Sequence, residues 1–158
     1  MTNQNLALRA ELIALQDLYI STLDSDRLEA WPDLFVDDCL YQIIPKENVD
    51  HGFPAPLILC DNKRMLRDRV ISLRHANIFA PVVYRHFFSG LVFEQDGEAI
   101  RMECNYLVIS TSLEGVSTVY QAGTYRDIVV RIDGELRFKE KHCVFDTSRV
   151  QTLLALPI

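Results

Sequence analysis

The chain has 158 residues, of which 49% are hydrophobic and 24% charged, and it carries a formal net charge of −6. Such values fit one globular domain with a single substantial core and argue against disorder. The acidic balance argues against a nucleic-acid partner, which needs a basic footprint to displace counterions, and against an anionic membrane on the same ground.

The opening MTNQNLALRAELIALQ carries Arg9 and Glu11 where a secretory signal has an uninterrupted apolar core. No apolar run approaches the ~18 residues that span a bilayer, so a cytoplasmic location is expected. Leu8, Leu12, Leu15, Leu18, Tyr19, Thr22 and Leu23 recur at three- and four-residue steps, predicting an amphipathic helix from about Gln4 to Leu23. Ser25 or Asp26 is then placed to cap a short helix with Trp31, Leu34 and Phe35 inward, and Pro32 limits its length. Cys39–Ile44 reads as a short strand and Pro45–Pro56 as a loop. Asp61 looks like the cap of a helix through Ala76, with Met65, Leu66, Val70 and Leu73 on its inner side.

The period then changes. Residues 82–93, 99–111, 116–132 and 135–145 read as strands; Ile100, Met102, Cys104, Tyr106 and Val108 alternate with Arg101, Glu103 and Asn105. Asp96-Gly97, Glu114-Gly115 and Asp133-Gly134 supply turn chemistry between them, which makes the strands antiparallel neighbours. Helices mainly over 4–76, one strand near 39–44, a sheet over 82–147 and a tail over 148–158 form one α+β domain. Its N-terminal helices are expected to pack on a curved antiparallel sheet and make a cone.

Four scattered cysteines, Cys39, Cys60, Cys104 and Cys143, read as buried small apolar side chains rather than disulfides. No two of His51, His75, His86 and His142 have metal-ligand spacing, and no Rieske-type Cys/His pairing is present, so no metal or cofactor is expected in this chain. His86 shares a strand face with Tyr84 and Phe88, which suits either a general base tuned by burial or a core histidine with a satisfied hydrogen bond. Tyr125 and Asp127 share a face, with Arg131 further along. A carboxylate beside a tyrosine can abstract a proton next to a carbonyl, or can pair with an arginine, for which Arg85 is a natural partner. Arg137, Lys139 and Lys141 alternate, predicting a basic stripe on one face of the last strand. There is no nucleophile elbow, P-loop or dinucleotide turn.

Several segments, in order, resemble the small (β) subunits of aromatic-ring-hydroxylating dioxygenases. They are Trp31-Pro32-Asp33-Leu34-Phe35 with Cys39-Leu40-Tyr41, then Pro45-Lys46-Glu47-Asn48 with Gly52, then Met65-Leu66-Arg67-Asp68-Arg69-Val70. Tyr84-Arg85-His86 follows, then Gly123-Thr124-Tyr125-Arg126-Asp127 with Asp133-Gly134 and Asp146-Thr147. The wording around PKEN and MLRDRV is most like small subunits of oxygenases acting on hydroxylated or carboxylated benzoates, salicylate 5-hydroxylase and terephthalate dioxygenase among them. Leu136, Ser89-Gly90 and Lys141 depart from the family's usual residues. The resemblance implies the nuclear transport factor two-like (cystatin-like) fold and a noncatalytic structural role. It implies a partner α subunit bearing a Rieske [2Fe–2S] cluster and mononuclear iron, and a separate reductase using NAD(P)H. It also implies self-association as a homotrimer within α₃β₃. Trp31, Arg69, Arg85, His86, Tyr125, Asp127 and Arg131 are then expected to serve packing or interfaces. The rival is a free-standing isomerase or dehydratase of the same fold, with His86, Asp127 and Tyr125 as its catalytic residues.

Overall fold

The computed structural model describes residues 3–76, 81–150 and 154–158. Helix α1 (Asn3–Asp24) comes first, and a 3-10 segment (Leu28–Leu34) leads into strand β1 (Phe35–Pro45). Helix α2 (Lys46–Asp50), strand β2 (Ile58–Cys60) and helix α3 (Lys63–His75) follow. Four long strands complete the fold: β3 (Val82–Asp96), β4 (Ala99–Ser112), β5 (Ser117–Ile132) and β6 (Glu135–Phe145). They make one six-stranded sheet in the order β2-β1-β6-β5-β4-β3.

The second half follows the alternation in the sequence. In β4 Ile100, Met102, Cys104, Tyr106 and Val108 are buried while Arg101, Glu103 and Asn105 are exposed. The β5–β6 turn places Asp133 and Gly134 at φ 50° and 85°, the paired left-handed conformation that Asp-Gly supplies in a two-residue hairpin. The sheet is mixed rather than antiparallel throughout, because β1 runs parallel to β6, with Tyr41 opposite Lys141 and Ile43 opposite Cys143. No hairpin joins those two strands, so nothing local dictates their direction.

Register shifts at Phe35/Leu40, Ser89/Val92, Val108/Ile109 and Ile128/Val129 each bend the sheet, and together they curl it around α1. Within the curl, Tyr19 of α1 makes edge contacts with Phe35, Tyr125 and Phe138 at centroid separations of 6.5, 6.0 and 5.6 Å. Trp31 is fully buried and meets Phe35 and Tyr41 edge-on. Such aromatic pairs contribute about 0.5–1.5 kcal/mol each beyond the area they bury.

Several local expectations are corrected. Leu18 and Met65 are exposed, because the buried stripes run through Leu12, Leu15, Gln16 and Tyr19 on α1 and through Leu66, Val70 and Leu73 on α3. Neither Ser25 nor Asp26 caps the 3-10 segment; Asp26 instead makes the left-handed turn (φ 55°) that ends α1. The α3 cap is Asn62, whose side chain accepts from the Met65 N–H at 2.9 Å, one residue later than Asp61. Strand β1 starts at Phe35, ahead of Cys39, and the segment after Pro45 contains α2. All four cysteines are buried and unbridged, as small core residues. No helix among the described residues is long and apolar enough to cross a membrane.

Candidate functional site

Polar groups inside the curl form two separate clusters. The first joins α1, β5 and β6. Asp127 and Lys141 lie directly opposite each other across the β5–β6 ladder, and Gln16 of α1 faces both. The Lys141 ammonium donates to Asp127 Oδ2 at 3.0 Å and to Gln16 Oε1 at 3.1 Å, and the Gln16 amide donates to the same carboxylate oxygen at 2.6 Å. Lys141 Nζ also stands 3.9, 4.2 and 4.5 Å from the ring centroids of Tyr125, Tyr19 and Phe138. The side chains of Asp127 and Lys141 are 0% exposed. Burial pushes the Asp127 carboxyl above its usual range, against the pull of Lys141 and Gln16.

Lys141 reaches this interior because the register shift between Ile128 and Val129 flips the alternation of β6. Leu136 and Phe138 point inward before it, Lys141, Cys143 and Phe145 after it. The expected basic stripe therefore does not exist. Arg137 pairs with Glu135, Lys139 pairs with Asp38, and Lys141 is inside.

The second cluster links β3 to the end of α1. The Nδ1–H of His86 donates to Asp24 Oδ1 at 2.6 Å, since a carboxylate only accepts, and the His86 backbone N–H donates to Oδ2 at 3.0 Å. That geometry leaves Nε2 as the basic nitrogen. It is buried and has no hydrogen-bond partner among the described residues. Thus His86 has the satisfied hydrogen bond of a core histidine on one side and an unused acceptor on the other.

The remaining predicted residues scatter. Arg85 donates to the carbonyls of Asp24 and Tyr84 on the opposite face, and Arg131 is exposed and pairs with Glu11 at 2.7 Å; neither touches Asp127. Tyr125 does share the inner face with Asp127, but its ring stacks on Tyr106 at 4.3 Å and its hydroxyl has no hydrogen-bond partner among the described residues. Burial holds the Tyr125 phenol well above its usual range. Arg69 donates to the carbonyls of Ala155 at 2.7 Å and Leu154 at 3.5 Å. Sequence reasoning missed Gln16, Asp24 and the true place of Lys141. Gln16 on the apolar face of α1 is the one signal that was legible. No group of three His, Cys, Asp or Glu among the described residues is arranged to hold a metal ion.

Outside the curl, the sheet presents two zones. Val83, Phe87 and Val119 are exposed, with Leu107 opposite Phe87 and Ile109 opposite both Arg85 and Val119, which makes an apolar end. Beside it lies a groove of about 700 Å³ lined in part by Val92, Arg101, Glu103, Arg126, Glu140 and His142. In it His142 Nε2 meets Glu140 at 2.8 Å and Nδ1 meets the Gln42 amide at 2.6 Å. An exposed apolar band with a charged flank is the anatomy of a protein interface.

Residues 4–142 match the SnoaL-like domain family. The small subunit of anthranilate 1,2-dioxygenase from Burkholderia cepacia is 57% identical over 150 residues, covering 94% of this chain and 92% of that one. A terminal oxygenase β subunit of terephthalate 1,2-dioxygenase from Comamonas is 36% identical, covering 94% and 97%. A crystal structure from Novosphingobium aromaticivorans, described as the β subunit of an aromatic-ring-hydroxylating dioxygenase, superposes with a TM-score of 0.90 at 41% identity. It covers 99% of this chain and all of that one. The terephthalate likeness agrees with the motif wording, whereas anthranilate is a substrate that wording did not single out. On this sequence, fold and kinship, the chain belongs to the small (β) subunits of aromatic-ring-hydroxylating dioxygenases and carries their SnoaL-like, nuclear transport factor two-like α+β fold.

Proposed function

We propose that this chain is the structural subunit of an oxygenase acting on an amino- or carboxy-substituted benzoate, and that it holds the iron-bearing α subunits in place. The observation that carries this reading is the division of its polar groups. Inside, Asp127, Lys141 and Gln16 satisfy one another, and Tyr125 offers its ring rather than its hydroxyl. Outside, the apolar band around Phe87 and Val119 and the Arg126–His142 groove form a face fit for partners. Three copies meet through sheet faces in an α₃β₃ assembly, a closed arrangement that buries such a band. The α subunit carries the Rieske [2Fe–2S] cluster and the mononuclear iron that activate oxygen, and a separate reductase draws electrons from NAD(P)H. The complex works in the cytoplasm. Trp31, Arg69, Arg85, His86, Tyr125, Asp127 and Arg131 serve packing and assembly in this reading.

Co-expression with the large oxygenase chain tests it. An equimolar complex with three copies of each chain by light scattering is expected, with iron in proportion to the large chain and anthranilate turnover only in the complex. Turnover of anthranilate, or of a dehydratase- or isomerase-type substrate, by this chain alone, abolished by His86→Ala, would establish the free-standing enzyme instead.

A further inference from the structure

Segment Leu154–Ile158 does not lie on the surface as a tail; it is inserted into the curl. Ile158 is 2% exposed and Ala155 6%. Three donors converge on the Ile158 carbonyl oxygen: the Tyr19 hydroxyl, the Tyr41 hydroxyl at 3.4 Å and the Cys143 thiol at 3.2 Å. Burial keeps that thiol protonated by pushing it up to about 12. The Ile158 N–H in turn donates to Tyr41 at 2.9 Å. Leu156, Pro157 and Ile158 border Tyr84 and Tyr120, whose rings meet edge-on at 5.1 Å. Arg69 latches the segment by its Leu154 and Ala155 carbonyls.

More donors converge on this oxygen than one peptide carbonyl requires; such convergence suits a carboxyl group. The Lys141 ammonium, 4.2 Å from the Tyr19 ring centroid, adds a positive field behind those donors. The wall is aromatic, from Tyr19 and Tyr41 round to Tyr84 and Tyr120. On the same inner face of β3 as Tyr84 sits His86, with its buried, unpartnered Nε2.

We infer that this end of the interior is a binding site for a small monocyclic carboxylic acid, and that Leu154–Ile158 occupies it as an intramolecular ligand. The acid's carboxyl replaces the Ile158 carbonyl at Tyr19, Tyr41 and Cys143, and its ring replaces the Ile158 side chain. The site lies within one chain and stands independently of the scaffold reading.

The full-length chain tests this directly. Isoleucine methyl groups are labelled with carbon-13 and benzoate is titrated in, with acetate, a carboxylate lacking the apolar body, as the control. Benzoate is expected to move the Ile158 methyl signal saturably from its ring-shifted position to that of a solvated isoleucine, while acetate leaves it in place. Arg69→Gln removes the latch and raises the fraction of chain with an open site, so the half-saturating benzoate concentration falls about tenfold. Arg69→Lys, which keeps the charge but not the paired donors, falls between, and it replaces Arg69→Gln if that variant does not fold. An Ile158 signal unmoved by benzoate in the wild type and both variants, or moved equally by acetate, would overturn the inference.

Discussion

Replacing Lys141 by methionine keeps the length and apolar stem of the side chain and deletes its charge. In the wild type the ammonium satisfies Asp127 and Gln16 and lies over three aromatic rings, with no exposure to water. Methionine leaves the Asp127 carboxylate buried with only the Gln16 amide as donor. Removing one partner of a buried pair typically costs about 3–5 kcal/mol. For a chain of this size that is a fall in Tm of about 6–20 °C, at roughly 2–4 °C per kcal/mol. The cost depends on pH, with a definite sign. Burial already raises the Asp127 carboxyl above its usual range. A group raised in the folded state stabilises most below its unfolded value and loses that contribution as pH rises through the folded one. Losing Lys141 lifts the folded value further, so the Lys141→Met penalty shrinks on acidification, where Asp127 is protonated, and grows toward neutral pH. Adding Asp127→Leu removes the stranded carboxylate, and the double variant should recover most of the lost stability. Urea unfolding followed by circular dichroism at several pH values reads all of this. A Lys141→Met variant within about 1 kcal/mol of wild type, or a double variant no more stable than the single one, would refute the reasoning, because both results deny that the pair is buried and mutually dependent.

Gly123→Ala should be among the most damaging single substitutions in the sheet. A Cβ there would stand 2.1 Å from the Val144 carbonyl oxygen and 2.7 Å from Phe145 Cα, so β5 and β6 must separate. A loss of about 3 kcal/mol or more is expected by thermal melting. His86→Ala strands the Asp24 carboxylate and should cost about 1–3 kcal/mol, yet leave the assembled oxygenase's turnover per intact complex unchanged; a selective fall in turnover would contradict the scaffold role. Phe87→Glu should leave the chain's unfolding curve within about 0.5 kcal/mol of wild type, the usual range for an exposed site, while weakening its self-association in sedimentation. Arg74 holds the exposed Glu29 carboxyl down to about 2 through hydrogen bonds and charge. That contribution is present above Glu29's unfolded value and lost as pH falls toward 2, so the melting curves of wild type and Arg74→Gln should converge in acid.

What could be read from the chain beforehand was whatever depends on near neighbours. The alternation of Ile100 to Val108 and the Asp133-Gly134 turn concern residues a few positions apart, and both are found as expected. Lys141 shows why the rest was not legible. Two residues beyond Lys139, it belongs to the same face by simple counting, and only the extra residue accommodated opposite Ile128–Val129 turns it inward. Nothing in the local sequence marks that position, because a bulge is settled by how β5 and β6 mate along their length. The parallel pairing of β1 with β6 and the seating of Ile158 against Tyr19 and Tyr41 join residues about a hundred or more positions apart, as with the 117 between Tyr41 and Ile158. Such contacts leave no periodic trace. Asp127 and Tyr125 were correctly put on one face, yet the partner expected for Asp127 was an arginine, since a lysine is rarely wholly buried.

The same shift ties the interior to the outer face. Asp127 and Lys141 are opposite one another inside, and the next pair along the ladder, Arg126 and His142, is opposite outside and lines the groove. A slip of one residue between β5 and β6 would exchange the two faces of the slipped strand, leaving one member of the ion pair outside and the other uncompensated in the core. An apolar core would tolerate that slip far better, since Ile128 could fill it. The buried charges thus penalise every register but the native one. The native register is also the one that brings Arg126, Glu140 and His142 together on the surface offered to partners. A costly ion pair in the centre of a small subunit is therefore consistent with a subunit whose work is done on its outside.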